Sequence, residues 1–410
     1  MNTDILKKYA ELVIRIGVNL QENQLLVIHS PITCADFVHA LAEEAYSAGA
    51  YDVAVNWNDE EFSHIRFRRV YMERLKDFPA WRKFFYDDHA ARGAAFISIA
   101  AENPDIFSDV DPKRLTEASM AAGNALMDYR ARLMSNKNTW CVVSVPTEAW
   151  ACKVFPDASP EEAMKKLREA ILRAARVWGE ADPISVWRAH IDRLQKITEF
   201  LNAHAFIELH YRNGLGTDLT VALPEGHIWM GGAERSATGT LFAANIPTEE
   251  VYTMPKRTGV NGTVFASKPL HYNGNLIRDF SLTFRDGKVV DYCAQQGREH
   301  LKELLETDEG SSYLGEVALV PHDSPISNSG ILFYNTLFDE NASCHLALGK
   351  AYPTCIKNGE NMTEDELCQH DVNHSLVHED FMLGTADLTV IGQTPSGDII
   401  TIMERGNFAF

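Results

Sequence analysis

Nothing in this sequence suits it to a membrane, to an oxidising compartment or to nucleic acid. No stretch of its 410 residues is an apolar run long enough to span a bilayer, and the opening MNTDILKKYAELVIRIG lacks the uninterrupted apolar core of a secretory signal. The expectation is a cytoplasmic protein with no membrane association. Basic residues are in the minority, 38 Lys and Arg against 57 Asp and Glu, for a formal net charge of -19. That balance argues against a grip on a phosphate backbone, so nucleic acid is not expected as a partner. The seven cysteines (Cys34, Cys141, Cys152, Cys293, Cys344, Cys355, Cys368) are odd in number, scattered and never spaced as CxxC. They read as reduced thiols, not as a disulfide frame or a zinc knuckle.

Familiar catalytic signatures are missing as well. The chain has no HExxH, no GxSxG, no GxxxxGK[ST], and no HxE followed by PCxxC. Their absence removes the helical zinc site, the serine nucleophile elbow, the phosphate-cradling loop and the deaminase site. Gly214-Leu215-Gly216 lacks the third glycine of a dinucleotide fingerprint and reads as a turn, so no cofactor-binding loop is expected. There is no internal repeat, low-complexity tract or Pro-rich linker.

What is present is enough apolar residue, 45% of the chain, to build two cores. The first half alternates helical and extended patterns. Asp4 to Ile16 and Ala35 to Ala48 carry apolar residues at helical spacing, while Leu25 to Ile28, Tyr51 to Trp57, Ala94 to Ala100 and Trp140 to Val145 read as strands. Ser159-Pro160-Glu161-Glu162 is a capping signal that opens a long helical run to His204. After about residue 205 the texture becomes short strands and Gly-containing turns, with Arg285-Asp286-Gly287-Lys288 as a hairpin signal. The fold class expected is α/β: an N-terminal α/β domain over residues 1–200 with a mainly parallel sheet, and a sheet-rich α+β domain over 201–410.

Candidate chemistry concentrates in the second half. Glu316 opens an apolar strand, Val317-Ala318-Leu319-Val320, where an isolated carboxylate must reach solvent or find a cation. In Phe338-Asp339-Glu340-Asn341-Ala342-Ser343-Cys344-His345 three polar residues precede an apolar run around one histidine, which alone reads as readily as a hydrogen-bonded core residue. His378 and Asp380 stand two apart, so an extended backbone presents both to one side. His370, His374 and His378 also recur at helical spacing, but His370 and His374 read as an exposed polar face. Together with Glu250 in Thr248-Glu249-Glu250-Val251, these carboxylates and imidazoles form the oxygen and nitrogen set that divalent transition metals take.

Five ordered segments, NIPTEEVYTMP, RTGVNGTV, GEVALVP, LFYNTLFDENASCHLALGKAY and HEDFMLG, closely resemble the thermophilic metallo-aminopeptidase family, the aminopeptidase T and aminopeptidase S type. The resemblance implies metal ligands at Glu250, Glu316, His345, His378 and Asp380, with Glu316 catalytic as the bridge between ions, and an active-site tyrosine at Tyr352. It also implies two divalent metal ions per subunit, zinc or cobalt with manganese and magnesium as further options. The expected activity is hydrolysis of N-terminal residues from peptides through a dinuclear site and a bridging water, and the expected assembly is a homodimer. Glu249 would sit behind Glu250 or in solvent. Two departures stand out: Glu379 replaces an apolar or small residue, and Cys344 precedes the histidine, where a small buried role is favoured. The competing readings are another two-metal hydrolase such as an amidohydrolase, since the same metal pair serves other substrates, and a non-catalytic metal-binding relative.

Overall fold

The computed structural model describes residues 3–272 and 275–410. The chain divides into two compact units. The first holds the residues through Ile191 together with Ala233–Thr248 and Leu332–Leu337; the second holds Asp192–Gly232, Glu249–Ile331 and Phe338–Phe410.

The first unit is built on a parallel sheet. Strands β1 (Leu25–Pro31), β2 (Asp52–Asn58), β3 (Ala95–Ile99) and β4 (Trp140–Val143) line up in the order β4-β3-β1-β2, and the short strand Asn245–Ile246 adds to the β4 edge. Central β1 is buried along almost its whole length, as a strand covered by helices on both faces must be. The first helix spans the whole apolar pattern from Asp4 to Ile16. It runs Thr3–Leu12 as α-helix and finishes as a wider π turn, Val13–Gly17.

The long helical run is two helices, Pro160–Ala174 and Pro183–His204. Ser159 caps the first of them in a reciprocal box with Glu162, and Pro160 takes the first turn, where its missing N–H is harmless. Ala163, Leu167, Ile171 and Ala174 recur every three or four residues and form the buried stripe. The run breaks because Arg176, just past the last helical turn, takes the left-handed φ of 56°, with the Val177 N–H closing onto the Leu172 carbonyl, and Pro183 then restarts it.

The second unit contains two antiparallel sheets. One, nine-stranded among the described residues, includes Glu208–Arg212, Asp218–Ala222, Val260–Phe265 and the hairpin Asn275–Arg285 with Lys288–Gln296. At the hairpin tip Asp286 and Gly287 have φ of 49° and 82°, the left-handed pair that an Asp-Gly turn supplies. The other sheet has five strands: β5 (Met230–Gly231), β6 (Val251–Thr253), β7 (Leu314–Leu319), β8 (His345–Gly349) and β9 (His378–Met382), in the order β9-β8-β7-β6-β5. Side chains alternate across a strand, so this sheet has two unlike faces. Val251, Val317, Leu319, Leu346, Leu348 and Phe381 point into a core shared with residues of the nine-stranded sheet, such as Leu209, Leu219, Val264 and Leu282. The opposite face carries the polar residues considered next.

Candidate metal centre

Strand register decides what meets on that opposite face. Ala318 on β7 lies opposite His345 on β8, Glu316 opposite Ala347, Ala347 opposite Asp380 on β9, and Gly349 opposite His378. Residues directly opposed in an antiparallel pair share a face. Glu316, His345, His378 and Asp380 therefore converge, and alanine or glycine fills the positions between them. Glu250, just ahead of β6, completes the group.

The distances define two triads with one shared member. His345 Nε2 is 3.3 Å from Glu250 Oε2 and 3.5 Å from Glu316 Oε1. His378 Nε2 is 3.4 Å from the other oxygen, Glu316 Oε2, and 3.6 Å from Asp380 Oδ1. Asp380 Oδ1 is also 4.0 Å from His345 Nε2. Glu250, Glu316 and His345 thus form one set with ligand spacing, and Glu316, His378 and Asp380 form another.

Both imidazoles are oriented from behind. His345 Nδ1 lies 3.1 Å from the Ser343 carbonyl oxygen, and His378 Nδ1 lies 2.7 Å from that of Lys350. A carbonyl only accepts, so each Nδ1 donates and Nε2 is left directed at the carboxylates, the atom that would serve as ligand once its proton gives way to an ion. The donor set fits divalent ions: three carboxylates and two imidazoles, with Asp380 Oδ1 buried and lacking a hydrogen-bond partner in the chain.

Electrostatics separates the carboxylates. Burial raises Glu250 to about 7, and the charges of Glu316 and Asp380 add to the effect against the pull of His345. Burial acts on Glu316 in the same direction, but its bonds to His345 and His378 outweigh it and hold the group at about 2. Burial alone would lower His378; contact with Glu316 and the charge of Asp380 raise it to about 10. Glu379 points away from the ligands, between His378 and Asp380 in sequence. Burial, reinforced by Asp380, raises it to about 8.

Tyr352 follows β8, with its ring 4.8 Å from that of His378. Burial, then the charges of Glu316 and Asp380, keeps its phenol well above its ordinary pKa, so it remains a hydrogen-bond donor. Glu249 is buried, which removes its solvent option, and its backbone N–H donates to Asn341 Oδ1 at 2.8 Å. Cys344 is buried, with Sγ 3.2 Å from the Val320 carbonyl oxygen. His370 and His374 are exposed and outside the cluster, because the helix they would extend, Glu364–Gln369, stops before them.

One neighbour was not singled out from sequence. Glu340, on the short turn Glu340–Ala342, has its carboxyl pushed well above the usual range by burial and then by the charges of Glu250 and Asp380. Its only signal in the sequence is its place among the polar residues ahead of His345.

Comparison with known proteins gives the chain a family. The family described as thermophilic metalloprotease (M29) matches residues 2–408. Aminopeptidase 2 of Geobacillus stearothermophilus is 51% identical over 405 residues, which cover 99% of this chain and 98% of that protein. Aminopeptidase AmpS of Bacillus subtilis (strain 168) is 45% identical with the same coverage. The solved structure of AmpT from Thermus thermophilus superposes with a TM-score of 0.93 at 38% identity, covering 99% of each chain. The chain belongs to the thermophilic metalloprotease family, and as an enzyme it is a metallo-aminopeptidase. Among the described residues, no helix is long and apolar enough to cross a membrane.

Proposed function

We propose that this metallo-aminopeptidase removes the first residue from peptides with a free N-terminus, using two divalent ions held by Glu250, Glu316, His345, His378 and Asp380. The observation that carries the reading is the division of Glu316, whose two oxygens face different imidazoles and so suit one carboxylate to bridge two centres. Zinc or cobalt suits the mixed imidazole and carboxylate set better than the all-oxygen shells of magnesium. A cytoplasmic homodimer, with the domain over 201–410 as the catalytic one, belongs to the same reading. When bound, such a pair of ions supplies Lewis acidity and lowers the pKa of a shared water towards neutrality.

The chain's own residues carry the remaining work. Tyr352 donates a hydrogen bond to the oxygen of the scissile carbonyl as negative charge develops there. Glu340, buried beside Glu250 and Asp380 but outside both ligand triads, would be ionised once bound cations offset its carboxylate neighbours, and would then accept a proton from the attacking water and return it to the leaving amine. The substrate's free α-amine would bind at the ions or at a carboxylate outside the ligand set, which confines attack to the first peptide bond.

The test uses protein stripped of metal and reloaded with zinc or cobalt, a panel of aminoacyl p-nitroanilides and an N-acetylated control, with bound metal measured in parallel. Release should require metal and a free amine. Glu316→Gln should lower metal affinity by at least about 100-fold, beyond what loss of a residue that only orients a ligand costs, and abolish release. Equal cleavage of the N-acetylated control would overturn the aminopeptidase mechanism. Full metal content with normal turnover in Glu316→Gln would overturn the bridging role.

A further inference from the structure

The metal-bearing face of the five-stranded sheet does not end at the ligands. Register carries one row of side chains straight across it: Met230 opposite Tyr252, Tyr252 opposite Ala318, Ala318 opposite His345, and His345 opposite Met382. Strands lie about 4.8 Å apart, so Tyr252 and His345 are separated by roughly 10 Å, with only the methyl group of Ala318 between them. That spacing has the width of one amino-acid side chain; Ala318 and His345 are themselves buried, and the partly exposed members of the row are Met230 and Tyr252.

Its far wall is apolar and partly exposed. Met230, Tyr252 and Tyr352 pack as partly buried side chains against a core of Met254, Ala351, Cys355, Ile356 and Val372. The ring of Tyr252 meets that of Tyr352 edge-on at 6.2 Å, and Tyr352 in turn lies against His378. Met230 reaches this row because Gly231 takes φ +152° and comes so near β6 that a Cβ there would lie 2.7 Å from the Glu250 carbonyl oxygen. Any other residue at 231 would push the edge strand, and Met230 with it, off the row. The oxygens of Glu250 and Glu316 are engaged by the two imidazoles.

We propose that Met230, Tyr252 and Tyr352 form the subsite for the side chain of the substrate's first residue, and that it selects apolar and aromatic side chains over charged ones. Met230 is the residue that sets the selection. A thioether adapts its shape to linear, branched or flat partners and makes favourable contact with aromatic rings, so leucine, methionine and phenylalanine side chains all fit. The proposal rests on the aminopeptidase reading for its substrate, but not for its test.

The test pairs equilibrium binding with turnover in the zinc-reloaded protein. Binding of glycinamide, leucinamide, phenylalaninamide and lysinamide is measured by calorimetry, and release from the matching p-nitroanilides is followed separately. Phenylalaninamide and leucinamide should bind at least about tenfold tighter than glycinamide and lysinamide, the range open to an apolar pocket. Met230→Ala should lower the phenylalanine-to-glycine ratio about tenfold. Met230→Leu should preserve the ratio, and Met230→Glu should turn the preference toward lysinamide. Should Met230→Glu not fold, the Ala and Leu pair still decides. A ratio unchanged in Met230→Ala, or wild-type protein binding all four amides equally, overturns the subsite. If the amide ratios behave as expected while no anilide is released, the subsite stands and the peptidase reading falls. If anilides are released with no side-chain preference, the reverse holds.

Discussion

Each unit of this protein sets a histidine against a tyrosine ring, and the two pairs behave in opposite ways. In the first unit His29 stacks on Tyr86, with centroids 5.1 Å apart, and its ring nitrogens meet Asn56 Nδ2 at 3.2 Å and Tyr129 OH at 3.5 Å. Burial, helped by the positive charges of Arg82 and His89, lowers it to about 4. In the second unit His378 lies against Tyr352 at 4.8 Å, but Glu316 and Asp380 overcome burial and raise it to about 10. Enclosure and an aromatic neighbour are common to both. Carboxylates at ligand distance are not, and they alone make one cluster a candidate metal centre and leave the other a neutral hydrogen-bonded patch.

The comparison is broken most forcefully at the tyrosines and at Glu340. Glu340→Gln should lower kcat by about 100- to 10,000-fold, the usual worth of a general base. Tyr352→Phe should lower it by about 100- to 1,000-fold, or about 3–4 kcal/mol, for one lost oxyanion donor. Metal content, measured on the same samples, should stay at the wild-type level in both. Tyr86→Phe, the matching change in the first unit, should leave kcat where it was. A Tyr86→Phe defect as large as that of Tyr352→Phe would mean that both rings act through fold stability and not through chemistry.

A smaller effect separates the two histidines by pH. His29 binds a proton less readily in the fold than its ordinary value of 6.5 allows, so its neutral form is the one the fold favours. The stability this lends is fully present above about pH 6.5 and is lost as pH falls toward 4, where the folded state also becomes protonated. The shift corresponds to roughly 3 kcal/mol. Tyr86, Tyr129, Arg82 and His89 face the ring, and no carboxylate is among its largest influences. Hydrogen exchange of amides in β1 and β3 should therefore speed up between pH 7 and 4 beyond the intrinsic trend, and His29→Gln should flatten that excess. An unchanged profile in the variant would place the acid sensitivity elsewhere.

How far the sequence alone could lead follows from the same contrast. The parallel sheet was legible because its strands are buried on both faces and show as short apolar runs, as Leu25 to Ile28 does. Asn245–Ile246, which completes that sheet, was not, since two residues a hundred positions downstream of β4 carry no period. In the second unit His378 and Asp380 were readable as a pair because a strand of period two puts them on one side. The neighbourhood of Glu316 and His345 was not readable in that way. It depends on the register of β7 against β8, which no single segment encodes, and the resemblance to a family supplied what local pattern could not. Glu340 escaped notice because a carboxylate on a turn is ordinary; only the fold gives it Glu250 and Asp380 as neighbours.

The smallest test compares two helix starts built alike in unlike surroundings. Ser159 with Glu162 in the first unit and Thr363 with Glu366 in the second each form a complete capping box. The helix Pro160–Ala174 buries Ala163, Leu167, Ile171, Leu172 and Ala174, whereas Glu364–Gln369 buries none of its residues. A cap stabilises the whole fold only if its helix unfolds together with the core. Ser159→Ala should therefore lower global stability by about 1 kcal/mol, read as a shift in the denaturant midpoint. Thr363→Ala removes the same bonds from six residues of which Leu367 alone packs, partly buried, against a core, so it should raise hydrogen exchange at 364–369 and move the midpoint far less than Ser159→Ala does. Equal midpoint shifts in the two variants would show that the short helix is coupled to the core despite its exposure. The strand that begins nine residues beyond it, at His378, would then be the element through which the coupling runs.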